Sequence, residues 1–405
     1  MMRMSVDELV SAVEGSVAYA DDNAGRQIVE GLAWDSRRIK AGNVFLAMPG
    51  ERVDGNDYVT LAARAGAGAI VATKQPSDAV KAICGEFTCP FIVVDDGVEA
   101  LTKLAAYWRS RLHAVVIGVT GSSGKTSTKD LLRSVMEQRF KTVATVSNYN
   151  NEIGCPATIL SADEDTEVLV LEMGMTGLKE IESLCKLARP SIGVITNIGT
   201  AHMELLGSQD NIALAKSELL SGLPASGFAV VNADDPFTPT VLEHGRVAAR
   251  HLMCRSYGFS EDADVRADDM SFDEEACGRF TLRLPNVTGR TVYLPLPGRH
   301  NVSNALAAAA VGQYLGLSTE QIVRGLEAAK VSGMRMERVA AHDGIVIYND
   351  AYNANPDSMC ASLDAFSAME CEGRRIAVLG DMGELGPTEA QLHRSVGEHA
   401  AHLAL

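Results

Sequence analysis

The sequence of 405 residues has no Cys-x-x-Cys pair and no finger-like cysteine spacing among its eight cysteines, at positions 84, 89, 155, 185, 254, 277, 360 and 371. Common zinc and dithiol motifs are therefore excluded, and reduced, mostly buried thiols are expected. No uninterrupted apolar stretch reaches the roughly 20 residues of a membrane-spanning helix. The first ten residues, with Arg3, Asp7 and Glu8, lack the apolar core of a secretory signal. Positive charge is scarce: 36 Lys and Arg face 52 Asp and Glu, a net charge of −16. Such a chain repels phosphate backbones and anionic membranes over most of its surface, leaving room only for a local basic pocket that takes one small anion. Internal repeats and low-complexity tracts are also absent. A soluble, cytoplasmic globular protein is expected.

What is present is enough apolar residue, 46% of the chain, to fill two to three cores. Between Leu32 and Val94 short apolar runs (Val44–Ala47, Ala69–Ala72, Phe91–Val94) and a helical stretch, Tyr58–Ala67, suggest a small α/β domain. A helical segment, Val98–Leu112, leads to a region where the runs Ala114–Val119, Glu167–Leu171, Ile192–Thr196 and Gly227–Val231 alternate with helices, as in a parallel sheet covered on both faces. From Val247 to Leu296 polar alternation reads as antiparallel edge strands, and Val302–Leu315 as a helix. A third unit begins near Gly333, with buried-strand runs expected at Ile345–Tyr348 and Ile376–Leu379 around a helix Asp357–Phe366.

The most informative stretch is Thr120-Gly-Ser-Ser-Gly-Lys-Thr-Ser-Thr128, between an apolar run and an expected helix Thr128–Phe140. Backbone N–H groups of Gly121, Ser122, Ser123, Gly124 and Ser127 would face an anion, with the helix dipole assisting. Lys125 would reach terminal phosphates and Thr126 a Mg²⁺ ion. A lysine at the positive end of a helix is unfavourable unless an anion compensates it. The usual loop has a glycine five positions before Gly124, but Val119 stands there, so this is a compact variant. Glu172, just past a buried run, is a candidate metal ligand or an ordinary strand-end acid. His202, in Asn197-Ile-Gly-Thr-Ala-His202, falls at the same carboxyl edge, as a ligand or a structural histidine. Lys216 is surrounded by apolar helix positions; it either snorkels to a helix-face acid or is a buried, modified amine near the metal. Asn301 and Asn304 cap a helix or read a purine. Arg335 and Asp350 flank a strand at a domain junction, suited to phosphate and ribose hydroxyls.

Together these segments resemble the Mur ligase family over nearly the whole chain. Its members share the Thr-Gly-x-x-Gly-Lys-Thr loop without the earlier glycine, the strand-end Glu, the Asn-x-x-x-x-His and His-Asn-x-x-Asn segments and the linker Arg. Further matches are Asp35-Ser-Arg37, Gly42–Gly50, Asn148-Tyr-Asn-Asn-Glu-Ile-Gly154 and Tyr352-Asn-Ala-Asn-Pro-Asp-Ser-Met359.

The resemblance implies three α/β domains: 1–98 binding a UDP-substrate, 99–331 a central P-loop mononucleotide-binding domain with a mostly parallel sheet, and 332–405 a Rossmann-like domain on the dipeptide and adenosine side. It implies an ATP-dependent amide ligase that adds D-alanyl-D-alanine to UDP-N-acetylmuramoyl-tripeptide through an acyl phosphate, acting as a monomer in peptidoglycan synthesis. ATP would be held by 121–127, Asn301, Arg335 and Asp350; Mg²⁺ by Thr126, Glu172, His202 and a carbamylated Lys216; the UDP end by Ser36, Arg37, Asn148 and Asn151. Lys125, His202 and Lys216 would be the catalytic set. Other Mur-type or folylpolyglutamate-type ligases, and a nucleotide-dependent switch, are the competing readings; the Asn-Ala-Asn-Pro-Asp-Ser-Met segment disfavours those ligases. Two departures stand out. Asn56 follows Asp54-Gly55 where the family commonly has histidine, and the later strands and Lys-Gly-Ser stretch of the family do not follow Gly380–Gly386, so an incomplete third domain with exposed apolar sheet surface and impaired activity is expected.

Overall fold

Short apolar runs separated by helices give two principal sheets, each within one of two compact units. The computed structural model describes residues 1–50, 53–341 and 344–405. One unit comprises Met1–Ala114 with Tyr149–Leu169; the other comprises Val115–Asn148 with Val170–Leu405.

In the first unit a five-stranded sheet runs in the order Ser16–Tyr19, Phe91–Val93, Ala69–Ala72, Val44–Ala47, Leu32–Ala33. All neighbours are parallel except Ser16–Tyr19, which pairs antiparallel with Phe91–Val93. Val44–Ala47 and Ala69–Ala72 are buried at every position, as central parallel strands covered on both faces must be. The helix Gly97–Arg111 starts at Asp96, whose carboxylate accepts the Glu99 N–H at 2.7 Å. Trp108, on its inward face, is fully buried and donates its indole N–H to Ala162 O at 2.9 Å. The helix expected at Tyr58–Ala67 is shorter: a 3-10 turn, Gly55–Tyr58, feeds Val59–Arg64. Asn56 serves this turn. It donates to Asp54 Oδ1 (2.7 Å) and Thr73 Oγ1 (3.0 Å), and accepts the N–H groups of Thr73 and Lys74.

The second unit is built on a nine-stranded sheet in the order Arg290–Pro297, Cys277–Arg283, Val265–Phe272, Met253–Gly258, Phe228–Asn232, Ile192–Ile195, Val115–Thr120, Val168–Glu172, Thr142–Ala144. The strands from Val115–Thr120 across to Val265–Phe272 pair in parallel and the last two pairs are antiparallel, so the antiparallel edge expected from Val247 to Leu296 starts only at Val265–Phe272, while Met253–Gly258 pairs in parallel with both neighbours. The helices Lys125–Met136 and Arg299–Tyr314 pack on one another. The latter is buried from Val302 through Gly312 apart from Ser303, where its run of alanines allows close approach.

The region after position 331 departs from expectation. Ile345–Tyr348 does yield a strand, Val346–Asn349, but it pairs only with Glu337–Ala340 among the described residues, and Ile345 and Ile347 are 59% and 49% exposed. Ile376–Leu379, expected as a second buried strand, forms none, and Val378 is 92% exposed. An apolar run becomes a strand only where neighbours take its backbone hydrogen bonds. The helices Pro356–Ala368 and Glu389–His402 instead bury Leu363, Met382, Leu385, Val396 and Ala400 between them. All eight cysteines are free, and Cys84, Cys89, Cys155, Cys185 and Cys277 are buried. No helix among the described residues is long and apolar enough to cross a membrane.

Removing the Trp108 ring leaves a large void in the first unit, so Trp108→Ala is expected to lower its unfolding free energy by about 3–5 kcal/mol, read as a shift of the urea midpoint.

Candidate nucleotide and metal site

The glycine loop closes against the end of the neighbouring strand. Ser122 N–H donates to Asn197 O (3.0 Å), Ser123 N–H to Asn197 Oδ1 (2.9 Å), and Thr196 Oγ1 donates to Ser123 O (2.6 Å). Gly121 and Gly124 have φ of +152° and +76°, conformations that favour glycine. A Cβ at Gly124 would stand 2.7 Å from Asn304 Oδ1, and one at Gly121 would strike Thr196 Oγ1. The helix begins at Lys125, three residues earlier than expected, with Gly124 as its cap. Its first-turn N–H groups and dipole therefore face the loop. Lys125 Nζ donates back to Gly121 O (2.8 Å) and Ser122 O (3.2 Å).

Thr126 is the junction of the site. Its hydroxyl donates to Glu172 Oε2 at 2.8 Å and accepts from Arg335 Nη2 at 2.8 Å. Glu172, at the end of strand Val168–Glu172, is 2% exposed. Arg335 lies over the Tyr352 ring, 4.5 Å from its centroid, and its Nε is buried with no hydrogen-bond partner among the described residues. A planar cation held this way keeps donors for an incoming anion.

Lys216 lies on the helix Gln209–Ser221, 1% exposed, with no ion-pair partner among the described residues, which removes the snorkelling alternative. Burial first, and then the Lys125 charge, push its amine well below the ordinary lysine value. Burial also lowers Lys125, with Glu172 opposing and Arg335 adding to the shift. His202 has φ +66° and contacts Glu384 through Nδ1. Its pKa is lowered by burial, then by Lys216, against the opposing pull of Glu384. Lys125, Lys216, His202 and Arg335 thus share one electropositive neighbourhood inside an acidic chain, with Glu172 and, beside His202, Glu384 as the carboxylates in it.

A cavity of about 580 Å³ opens beside the loop, lined by Ser123, Gly124, Ser127, Asn197, Asn301, Asn304, Arg335 and Asp350 among others. Asn301 is not the helix cap, which is Gly298; its amide donates to Pro297 O (2.8 Å), while Asn304 accepts from Thr128 Oγ1 (3.2 Å). Asp350 accepts from Met336 N–H (3.0 Å) and Ser362 Oγ (2.5 Å). A second cavity, about 360 Å³, lies on the Thr126 side of Arg335 and includes Ser332 and Tyr352. The Asn-Pro-Asp-Ser segment starts a helix: Asn355 and Ser358 form a capping box, and Asp357 Oδ2 accepts the Thr200 N–H at 3.2 Å, bringing it to the strand end that carries His202.

Ser36, Arg37 and Asn151 belong to the first unit. Arg37 is exposed and pairs with Asp35 through Nε (2.9 Å) and Nη2 (2.8 Å), and Asn151 Oδ1 accepts Gly154 N–H (3.0 Å) at a helix start. Asn148, in the second unit, is exposed. Lys129, Asp130 and Ser332 also stand beside the loop, without a motif in the sequence to mark them. The available signal was a charged pair on the loop helix directly before the apolar Leu131-Leu132.

Loop, strand-end carboxylate and bracketing arginine define an α/β protein of the phosphate-loop class. Family models match three successive stretches: Mur ligase family, catalytic domain, at 28–109; Mur ligase middle domain at 119–312; and Mur ligase, glutamate ligase domain, at 334–404. The chain is 37% identical over 398 residues to the UDP-N-acetylmuramoyl-tripeptide–D-alanyl-D-alanine ligase of Bacillus subtilis, covering 98% of this chain and 82% of that one. It belongs to the Mur ligase family. Among solved structures, MurF from Acinetobacter baumannii matches with a TM-score of 0.87 at 32% identity, over 100% of this chain and 85% of that one. MurF ligase from Thermotoga maritima in complex with ADP matches at 0.76 and 29% identity, over 92% and 82%.

The buried Lys216 amine yields a stability prediction for the unmodified chain. The unfolded state binds more protons at this position, so its contribution to stability rises with pH between the depressed folded value and the ordinary lysine value. Lys216→Met should remove that slope and raise the melting temperature at neutral pH by roughly 2–4 °C, measured by calorimetry without added bicarbonate.

Proposed function

We infer that this chain is an ATP-dependent amide ligase that joins D-alanyl-D-alanine to UDP-N-acetylmuramoyl-tripeptide, giving the pentapeptide precursor of peptidoglycan. Similarity along almost the whole chain to ligases of that name supports the substrate pair. The observation that carries the chemistry is Thr126, bonded at once to a buried carboxylate and an arginine at the end of a phosphate loop.

A carboxylate is a poor electrophile. Transfer of the γ-phosphoryl group to the tripeptide carboxylate makes an acyl phosphate and ADP; the dipeptide amine then attacks the acyl carbon and phosphate leaves. Positioning and charge stabilisation are the protein's main tasks in such a transfer. Ser122 and Ser123 spend their N–H groups on Asn197, so the N–H groups of 124–127 at the helix start take the phosphate oxygens, and Lys125 exchanges its loop carbonyls for them. Arg335 directs its free donor at the transferring group. Asn301 and Asp350 take the adenosine end of the larger cavity, and Ser36, Arg37, Asn148 and Asn151 the UDP end of the other substrate. The proposed division is 1–98 for the UDP-substrate, 99–331 for ATP and 332–405 for the dipeptide and adenosine side. We place the reaction in the cytoplasm, the compartment of its nucleotide substrates.

A hard divalent cation fits the donors present. Thr126 and Glu172 supply oxygens, and among the described residues no group of three or more His, Cys, Asp or Glu encloses a metal. Few protein ligands suit Mg²⁺, which keeps waters and substrate phosphates in its shell. When bound it would neutralise charge developing on the phosphoryl oxygens. His202 would hold it from the adjoining strand end. A lysine ammonium cannot ligate; a neutral amine that adds CO₂ and gives up a proton would become an anionic carbamate, and burial of Lys216 favours the neutral amine.

Phosphate release from ATP is expected to require the muramyl tripeptide and to reach steady turnover only with D-alanyl-D-alanine; release indifferent to both would refute the ligase reading. Lys216→Ala should lower kcat by about 100-fold or more and recover part of it with added short carboxylates. Parent turnover without rescue would refute the carbamate.

A further inference from the structure

Two buried charges beside the phosphate loop have no part in the chemistry above. Lys129 and Asp130 are 2% and 8% exposed, and Lys129 Nζ meets Asp130 Oδ1 at 2.5 Å. Lys129 Nζ also donates to Thr145 O at 3.0 Å. The other oxygen of Asp130 accepts twice from one residue beyond the middle domain: Ser332 N–H at 2.8 Å and Ser332 Oγ at 2.9 Å. Three residues later comes Arg335.

These contacts form a closed ring. Thr145 Oγ1 accepts the Glu172 N–H at 3.0 Å, Glu172 Oε2 accepts from Thr126 Oγ1, and Thr126 Oγ1 accepts from Arg335. The circuit from Ser332 through Asp130, Lys129, Thr145, Glu172 and Thr126 returns to the segment from which it started.

That segment is also strained. Met334 and Met336 have φ of +57° and +50°, left-handed conformations that non-glycine residues adopt at a cost. Such residues persist only where surrounding contacts over-determine them. Here Asp130 fixes the segment on one side of Arg335, while Asp350 fixes it on the other by accepting the Met336 N–H at 3.0 Å. A buried ion pair is weak support for stability in itself, since apolar replacement is often neutral or better. Its geometric consequence is what this structure uses.

We propose that Asp130, oriented by Lys129, is a positioning residue that acts through Ser332 to set the Arg335 guanidinium on Thr126. The inference rests on the reading of Arg335 as the arginine that meets the transferring phosphoryl group. Asp130 touches no substrate. It fixes where the arginine's backbone starts, and Lys129 prevents the carboxylate from turning away.

The test is a double-mutant cycle. Asp130→Asn keeps the shape and an acceptor oxygen but loses the charge that Lys129 holds; Ser332→Ala removes only a hydroxyl at a half-buried position and guards against misfolding of the first variant. Each is made in the parent and in Arg335→Ala, with kcat/KM for ATP, the ATP dissociation constant and the melting temperature measured on all. Binding closes the cycle where turnover is slow. In the parent background Asp130→Asn should weaken kcat/KM for ATP about tenfold and Ser332→Ala about threefold. With Arg335 already gone, neither should add to the loss in either measurement. Losses of equal size in both backgrounds, tracking a fall in melting temperature, would make Asp130 merely structural and overturn the proposal. Parent-like values for Asp130→Asn and Ser332→Ala alongside a crippled Arg335→Ala would overturn it while leaving the phosphate reading intact. Parent-like values for Arg335→Ala would remove that reading itself.

Discussion

The Thr126 hydroxyl makes two hydrogen bonds in opposite senses, to Glu172 and from Arg335, and these fix three parts of the second unit on one another. The loop helix supplies the threonine, a central strand the carboxylate, and the segment after position 331 the arginine. For the hydroxyl to stand there, the turn before it must lie flat against Thr196 and Asn197. Only glycines at 121 and 124 permit that approach. Val119 is tolerated because the strand continues through Thr120, with Val119 buried in the sheet. The missing early glycine of the loop is therefore a consequence of how far the strand extends.

From that junction the electrostatics follow. An acidic chain with net charge −16 gathers Lys125, Lys216, His202 and Arg335 around Glu172, with Glu384 against His202, and burial keeps the two lysines and the histidine from holding protons as firmly as they would in water. Charges crowded in this way are unfavourable alone and favourable around a polyphosphate. The site's instability without its ligand and its affinity for one have the same origin.

The parts of the site that were legible in the sequence are those where polar residues break an apolar strand pattern: the loop at its end, Glu172 after Val168–Leu171, and His202 after Ile192–Ile195. Strand ends in a parallel sheet open at one edge, so sequence order alone brings them together. Lys216 was visible as a charge among apolar helix positions, but only the fold decides that its amine stays buried. Asn301 misled as a candidate cap because the helix begins at Arg299, two residues earlier. Lys129 and Asp130 were missed because their partners, Thr145 and Ser332, are remote in sequence, and hydrogen-bond partners of that kind leave no periodic trace. Ile376–Leu379 shows the opposite error. Its composition favours a strand, yet strand formation depends on neighbouring backbones that composition does not describe.

The chemistry turns on direct transfer of the γ-phosphoryl group to a carboxylate. The decisive measurement is oxygen tracing: the muramyl tripeptide labelled with ¹⁸O in its terminal carboxylate is turned over with ATP and D-alanyl-D-alanine, and the released phosphate is analysed by mass spectrometry. An acyl phosphate carries one carboxylate oxygen into phosphate, so each phosphate formed from fully labelled tripeptide should contain a single ¹⁸O. Phosphate released without label, while the amide product still forms, would rule out direct transfer to the carboxylate.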